Sequence, residues 1–181
     1  MQYRRAWIAG GSFFFTVVTA ERRPVFASRA TVDLLRMAFR AVRSRHPFEM
    51  DAVVVLPDHL HCIWSLPEGD ADFATRWRLI KTWFTKRYDL VSGNATNRHV
   101  SEKSQRKRLP VWQNRYWEHA LRDEADMMRH IDYIHFNPVK HGLAATVREW
   151  PYSSFHRYAE AGLYPLDWGR GVAEPAGVGH E

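Results

Sequence analysis

The sequence predicts an α+β fold, an antiparallel β-sheet with helices packed on it. Three observations predict it. Short aromatic and β-branched runs read as strands. Between them lie longer stretches with apolar residues near 3.6 spacing, which read as amphipathic helices. Two of the strand-like runs are joined only by Pro57-Asp58, a short turn signal that makes them pair antiparallel.

The elements follow in order. Residues 12–19, SFFFTVVT, form a first strand, and a polar turn with Arg22, Arg23 and Pro24 follows. From Thr31 the pattern is helical. Leu34, Leu35, Met37, Ala38, Ala41 and Val42 take one side and Arg36, Arg40 and Arg43 the other, and His46-Pro47 ends the helix. Residues 48–56 and 59–66 are the hairpin strands. Residues 71–88 form a second helix, with Phe73, Trp77, Ile80, Phe84 and Tyr88 set against Arg76, Arg78, Lys81, Lys86 and Arg87. Residues 89–110 are polar and basic without periodicity and read as a flexible loop. Residues 112–122 are a strand. Residues 123–137 are a third helix, capped by Asp123 and with Glu124 and Asp126 at its positive end. Pro138 favours a break or kink there. Residues 148–158 suggest a short helical turn, and the chain past Gly162 is Gly/Pro-rich. The division is residues 1–160 as one domain and 161–181 as an irregular tail. Strand, helix, strand, strand, helix, strand, helix is an α+β sandwich of the ferredoxin or RNA-recognition type.

Composition narrows the class. With 181 residues, 45% of them apolar, the chain can bury a core. A single cysteine, Cys62, excludes an intramolecular disulfide and fits a reducing, cytoplasmic setting. No apolar run approaches the ~20 residues that span a bilayer. MQYRRAWIAGGSFFFTVV resembles a secretory leader superficially, but Gly10, Gly11 and Ser12 split its apolar part, and SFFFTVV reads better as a strand. Net charge is +6, carried unevenly: +9 over residues 1–110 and −3 over 111–181. A basic body fits an anionic polymer, nucleic acid being the commonest, and also fits simple solubility.

The most informative stretch is VVVLPDHLHCIWSLP, residues 53–67. Side chains alternate along a strand. Leu60, Cys62, Trp64 and Leu66 therefore share an apolar face, while His59, His61, Ile63 and Ser65 share the other, expected to lie outside the core. Two imidazoles at this spacing can converge on one divalent ion, or each can be hydrogen-bonded separately at a surface. A metal site would need a third ligand. The third helix offers one, since Tyr133 and Asn137 lie a turn apart on one face. Alone, Asn137 is also an ordinary helix-ending residue and Tyr133 an amphipathic ring at a core edge.

PDHLHCIW followed by YIHFNPVKHG resembles the single-tyrosine HUH transposases, and within them the REP-associated tyrosine transposases. YRRAWIAGGSFFFTV, RWRLIKTWF, WQNRYWEHALRDE, WPYSSFHRY and GLYPLDW extend the resemblance over most of the chain. It implies the HUH endonuclease fold, and a nuclease and strand transferase acting on single-stranded DNA. By motif, His59 and His61 (the His-hydrophobic-His pair) and Asn137 are metal ligands, and Tyr133 is the nucleophile. Mg²⁺ or Mn²⁺ is implied, and imidazole ligands tilt the choice toward Mn²⁺. The implied product is a 5′-phosphotyrosine with a free 3′-OH. The implied partner is hairpin DNA of repetitive extragenic palindromes with a single-stranded flank, bound by a monomer or homodimer in a cytoplasmic, nucleoid-associated setting.

Tyr133, with a reference pKa of ~10, must lose a proton to attack, and the sequence names no base for it. His130 and His135 read as solvated surface histidines. Arg4, Arg5, Lys81, Arg115 and Lys140 adjoin the shared motifs and are candidate phosphate contacts, or ordinary surface charges. A second reading of the same fold is a non-catalytic module for single-stranded nucleic acid, because fold does not fix function. A third is a water-using, metal-dependent hydrolase with a structural tyrosine.

Overall fold

Four strands build one antiparallel sheet in the order β2-β3-β1-β4. The computed structural model describes residues 8–92 and 110–169. The strands are β1 (Ser12–Val18), β2 (Glu49–Val55), β3 (His59–Ser65) and β4 (Trp117–Ala120). The helices are α1 (Arg29–Arg43), α2 (Phe73–Val91), α3 (Glu124–Lys140) and the short α4 (Phe155–Glu160). The α+β class and the strand-helix order are those read from the sequence. Ser28, Asp72 and Asp123 cap the three long helices, each side chain accepting from a backbone N–H three residues on. Pro57-Asp58 closes the hairpin, where the Leu56 N–H donates to the His59 carbonyl at 2.8 Å.

Both faces of the sheet are covered. On the first, Phe13, Phe15 and Val17 of β1 and Leu60, Cys62 and Trp64 of β3 meet α1 and α2. Rings dominate here: Trp64 stacks on Trp77 of α2 at 4.3 Å and on Phe48 at 4.3 Å. Cys62 is fully buried in this layer, and burial pushes its thiol well above its ordinary range. On the second face, Phe14, Ala52, Val54 and Ile63 pack against Ile131, Tyr133 and Ile134 of α3 and against Phe155 of α4. Tyr164 and Trp168, in the segment expected to be an irregular tail, join this layer.

Several sequence expectations change. The face bearing His59 and His61 is a second core, because α3 lies over it. Continuous runs such as FFF in β1 and VVVL at the end of β2 carried that signal, since strands covered on both faces read as near-continuous apolar stretches. The expected strand 112–122 is paired only over Trp117–Ala120, with Trp112 reaching the sheet through one isolated bridge to Thr19. Gln113, Asn114 and Arg115 are exposed, and this polar stretch has no apolar alternation to pin it to the sheet. Helix α2 runs on to Val91, three residues into the expected loop, whose residues 93–109 lie outside the described residues. Helix α3 passes through Pro138 to Lys140. A proline one turn from a helix end removes a single ladder bond, and the His141 N–H closes the helix on the Asn137 carbonyl at 3.0 Å. Arg76, expected on the polar side of α2, is buried against Asp70 at 2.6 Å and the Pro47 carbonyl at 2.7 Å.

Candidate functional site

The start of β3, the middle of β1 and the second half of α3 converge on the second face. His61 sits opposite Thr16 of β1 and Val54 of β2 in the sheet register. Its Nδ1 lies 2.9 Å from the Thr16 hydroxyl. His59 begins β3, and its Nδ1 donates to the Asp58 carboxylate at 2.6 Å. Burial pushes the Asp58 carboxyl up, but hydrogen bonds from His59 and Arg22 outweigh it and hold the group below its ordinary range. The two imidazoles stand edge-on with centroids 5.0 Å apart. With each Nδ1 engaged by an oxygen, Nε2 is the nitrogen each ring can turn to a cation, the usual arrangement behind metal-binding histidines.

Helix α3 supplies the rest. The Tyr133 ring packs 5.2 Å from His61 and 6.0 Å from Phe14. Asn137 follows one helical turn on. His59, His61, Tyr133 and Asn137 are all at most 3% exposed. Burying this many polar groups together is costly unless they serve each other or a ligand. Lys140, a further seven residues from Tyr133, donates to its phenol oxygen at 3.5 Å and sits 4.9 Å from the ring centroid. His141 brings its ring within 5.2 Å of His59.

Two histidines expected at the surface are buried. His135 is enclosed by Phe155, Tyr158, Tyr164 and Trp168, and its Nε2 lies 3.0 Å from the Ser154 hydroxyl. Burial pushes its ring down to about 3, so it is neutral. His130 bonds the Asp126 carbonyl through Nδ1 at 2.8 Å, and burial also lowers its pKa. His119, Asp126 and His130 have ligand atoms within 4.8 Å of one another, a geometry open to a cation. Asp126, however, already holds His119 at 3.0 Å, Arg122 at 3.1 Å and Arg129 at 3.2 Å. Burial works against its charge, but these hydrogen bonds prevail and keep the carboxyl well below its ordinary range. The trio reads as an ion-pair network at the start of α3.

The candidate phosphate contacts separate. Lys140 lies against Tyr133. Lys81 is on α2, across the sheet, and Arg115 is exposed in the segment before β4. Arg4 and Arg5 lie outside the described residues. Among the described residues no helix is long and apolar enough to cross a membrane.

No protein-family model matches the chain. It is 44% identical over 173 residues to the REP-associated tyrosine transposase of Escherichia coli, covering 96% of this chain and 93% of that one. The chain belongs to the REP-associated tyrosine transposases. A relative from Haemophilus influenzae is 40% identical over 168 residues, 92% of each chain. The solved structure of a REP-associated tyrosine transposase bound to a REP hairpin matches with a TM-score of 0.78 and 43% identity, over 96% of this chain and 93% of that one.

In this REP-associated tyrosine transposase, the stretches PDHLH and YIHFN thus meet on one face of the sheet. Sequence reasoning missed Thr16, Asp58 and His141, and missed where Lys140 points. Asp58 was visible as the residue before His59. Thr16 was not, because cross-strand register is set by pairing and not by spacing. His141 stood in the NPVKHG segment, but the expected break at Pro138 removed it from view.

Proposed function

We propose that the protein is a metal-dependent single-stranded DNA endonuclease and strand transferase. It acts on REP-type hairpin DNA through a 5′-phosphotyrosine intermediate. One observation carries the reading: Tyr133 packs 5.2 Å from His61, on the helix that bears Asn137 one turn on. Family membership supports the DNA-processing class, and the solved relative is bound to a REP hairpin.

The donor set fits a divalent cation. Two imidazoles with Nδ1 held by Asp58 and Thr16 offer Nε2, and Asn137 offers an amide oxygen. Imidazole donors favour Mn²⁺ over Mg²⁺. When bound, the cation supplies Lewis-acid polarisation of the scissile phosphate.

The chain's own residues do the rest. The Tyr133 oxygen attacks phosphorus, a tyrosyl O–P bond forms, the bond from phosphorus to the 3′ oxygen breaks, and the phenol proton ends on that oxygen. One phosphodiester is exchanged for another, so no ATP is consumed and a second 3′-OH can reverse the step. The Lys140 ammonium beside the phenol oxygen offsets the negative charge as the proton leaves. The unit that carries this chemistry runs past residue 160, since Tyr164 and Trp168 pack into the layer that holds α3.

Hairpin oligonucleotides with a single-stranded flank, incubated with the protein and Mn²⁺, should yield a covalent adduct that survives a denaturing gel. Tyr133→Phe should abolish adduct and cleavage while binding the hairpin as tightly as the unaltered chain. Binding without any adduct from the unaltered protein would make it a non-catalytic module. Cleavage by Tyr133→Phe would point to a water-using hydrolase.

A further inference from the structure

A groove on the far side of the sheet has a chemistry that the site around Tyr133 does not use. It lies between the outer side of α2 and the segment entering β4, and has a volume of about 440 Å³. That is within the ~300–1,000 Å³ of small-ligand sites. Its lining includes Arg78, Lys81, Trp112, Gln113, Asn114 and Tyr116. A second hollow of about 370 Å³ shares Lys81 and Thr82 and continues along the helix to Thr85 and Lys86. Among the described residues neither lining contains a carboxylate.

Lys81 organises the groove. Its ammonium donates to the Gln113 carbonyl at 2.9 Å and sits 5.3 Å from the Tyr116 ring and 5.8 Å from the Trp112 ring. That uses one of its three N–H donors. Burial pushes Lys81 down to about 8. A cation desolvated among rings with no acid beside it is stabilised when an anion arrives. The Trp77 and Trp112 side chains back the groove. The Gln113 and Asn114 side chains are exposed at the rim and can donate and accept at once.

Rings, amides and a line of cations without acids match one ligand class. Bases stack on aromatic faces, base edges pair with amides, and phosphates follow Arg and Lys. We infer that this groove holds an unpaired nucleotide of the DNA strand, with the phosphates running along Arg78, Lys81 and Lys86. The identity of the polymer as DNA rests on the function proposed above. The groove is across the sheet from the cutting site: α2 packs on the face of Phe15 and Trp64, and Tyr133 on the face of Phe14. The strand is therefore gripped at one face and cut at the other.

The test compares Lys81→Met, which keeps the aliphatic stem, with Arg78→Gln at an exposed position. Binding is measured by fluorescence anisotropy to a blunt hairpin and to the same hairpin with a six-nucleotide single-stranded flank. Thermal melts confirm folding, and Arg78→Gln keeps the test alive should Lys81→Met not fold. Each variant should weaken binding of the flanked hairpin by about tenfold and leave the blunt hairpin within about twofold. A 5-iodouracil in the flank should photo-crosslink to Trp112 or Tyr116. Unchanged binding of the flanked hairpin overturns the inference, as does an equal loss with both hairpins, which would mean duplex phosphate contact. The adduct assay separates this from the nuclease reading. Loss of flank binding without any adduct from the unaltered protein keeps the groove and sinks the nuclease. An adduct with unchanged flank binding does the reverse.

Discussion

Strand β3 serves two layers of opposite character. Its residues Leu60, Cys62 and Trp64 enter a layer of rings and aliphatic chains, while His59 and His61 enter a layer that also holds Thr16, Tyr133 and Asn137. Both are shut off from water to the same degree. The first gains from burial, since apolar area is removed from water at roughly 25 cal/mol per Å². The second buries polar groups that gain little from leaving water and must be served by partners. The first layer is almost wholly apolar, whereas the second sets these polar groups within an apolar cluster of its own. Substitutions should therefore separate stability from chemistry according to the face they touch.

The largest effect on stability is expected from the first face. Trp64→Ala removes a side chain stacked on Trp77 and Phe48 and should cost about 3–5 kcal/mol in urea melts. At low temperature the folded fraction should still form the covalent adduct. Loss of adduct from a folded Trp64→Ala protein would erase the contrast between the faces. Next comes Thr16→Val, close in shape but without the hydroxyl that holds His61 Nδ1. The Mn²⁺ concentration for half-maximal adduct formation should rise about 10–100-fold, with a small change in melting. An unchanged Mn²⁺ requirement would remove Thr16 from the support of the histidine pair.

The smallest effect concerns charge. Asp126 is held well below its ordinary range by His119 and Arg122 against the pull of burial. A carboxyl lowered in the fold contributes stability present above the unfolded value of about 3.8 and lost as pH falls through the folded one. Asp126→Asn should thus cost about 1.5 kcal/mol near pH 7 and progressively less below about pH 4. Urea melts from pH 7 to 2 read this directly. Parallel curves for the two proteins over that range would rule out the ion-pair network as the source.

Much of this layout was legible in the sequence. The strand-helix order followed from periodicity, and the alternation of HLHCIW assigned each side chain of β3 to its face. The PDHLH and YIHFN stretches could be paired because two spacings, two on a strand and four on a helix, each leave residues on one side. What spacing does not encode is what covers a face. The histidines looked solvent-directed until α3 lay over them, and His130 and His135 with them. Pro138 looked like an end because the rule for proline is local, whereas packing against the sheet keeps the helix going to Lys140. The groove on α2 was invisible for another reason. Lys81 and Trp112 are 31 positions apart, and no periodicity joins them.

Cys62 turns the arrangement into an instrument. It lies between the two layers' histidines and tryptophans in sequence, is fully buried, and has a thiol kept protonated by its surroundings. A thiol reagent can reach it only when β3 parts from its neighbours, so the labelling rate clocks the opening of the strand that presents His59 and His61. A divalent cation that ties that strand to α3 should slow the clock, by an amount that reports its affinity without any DNA being cut.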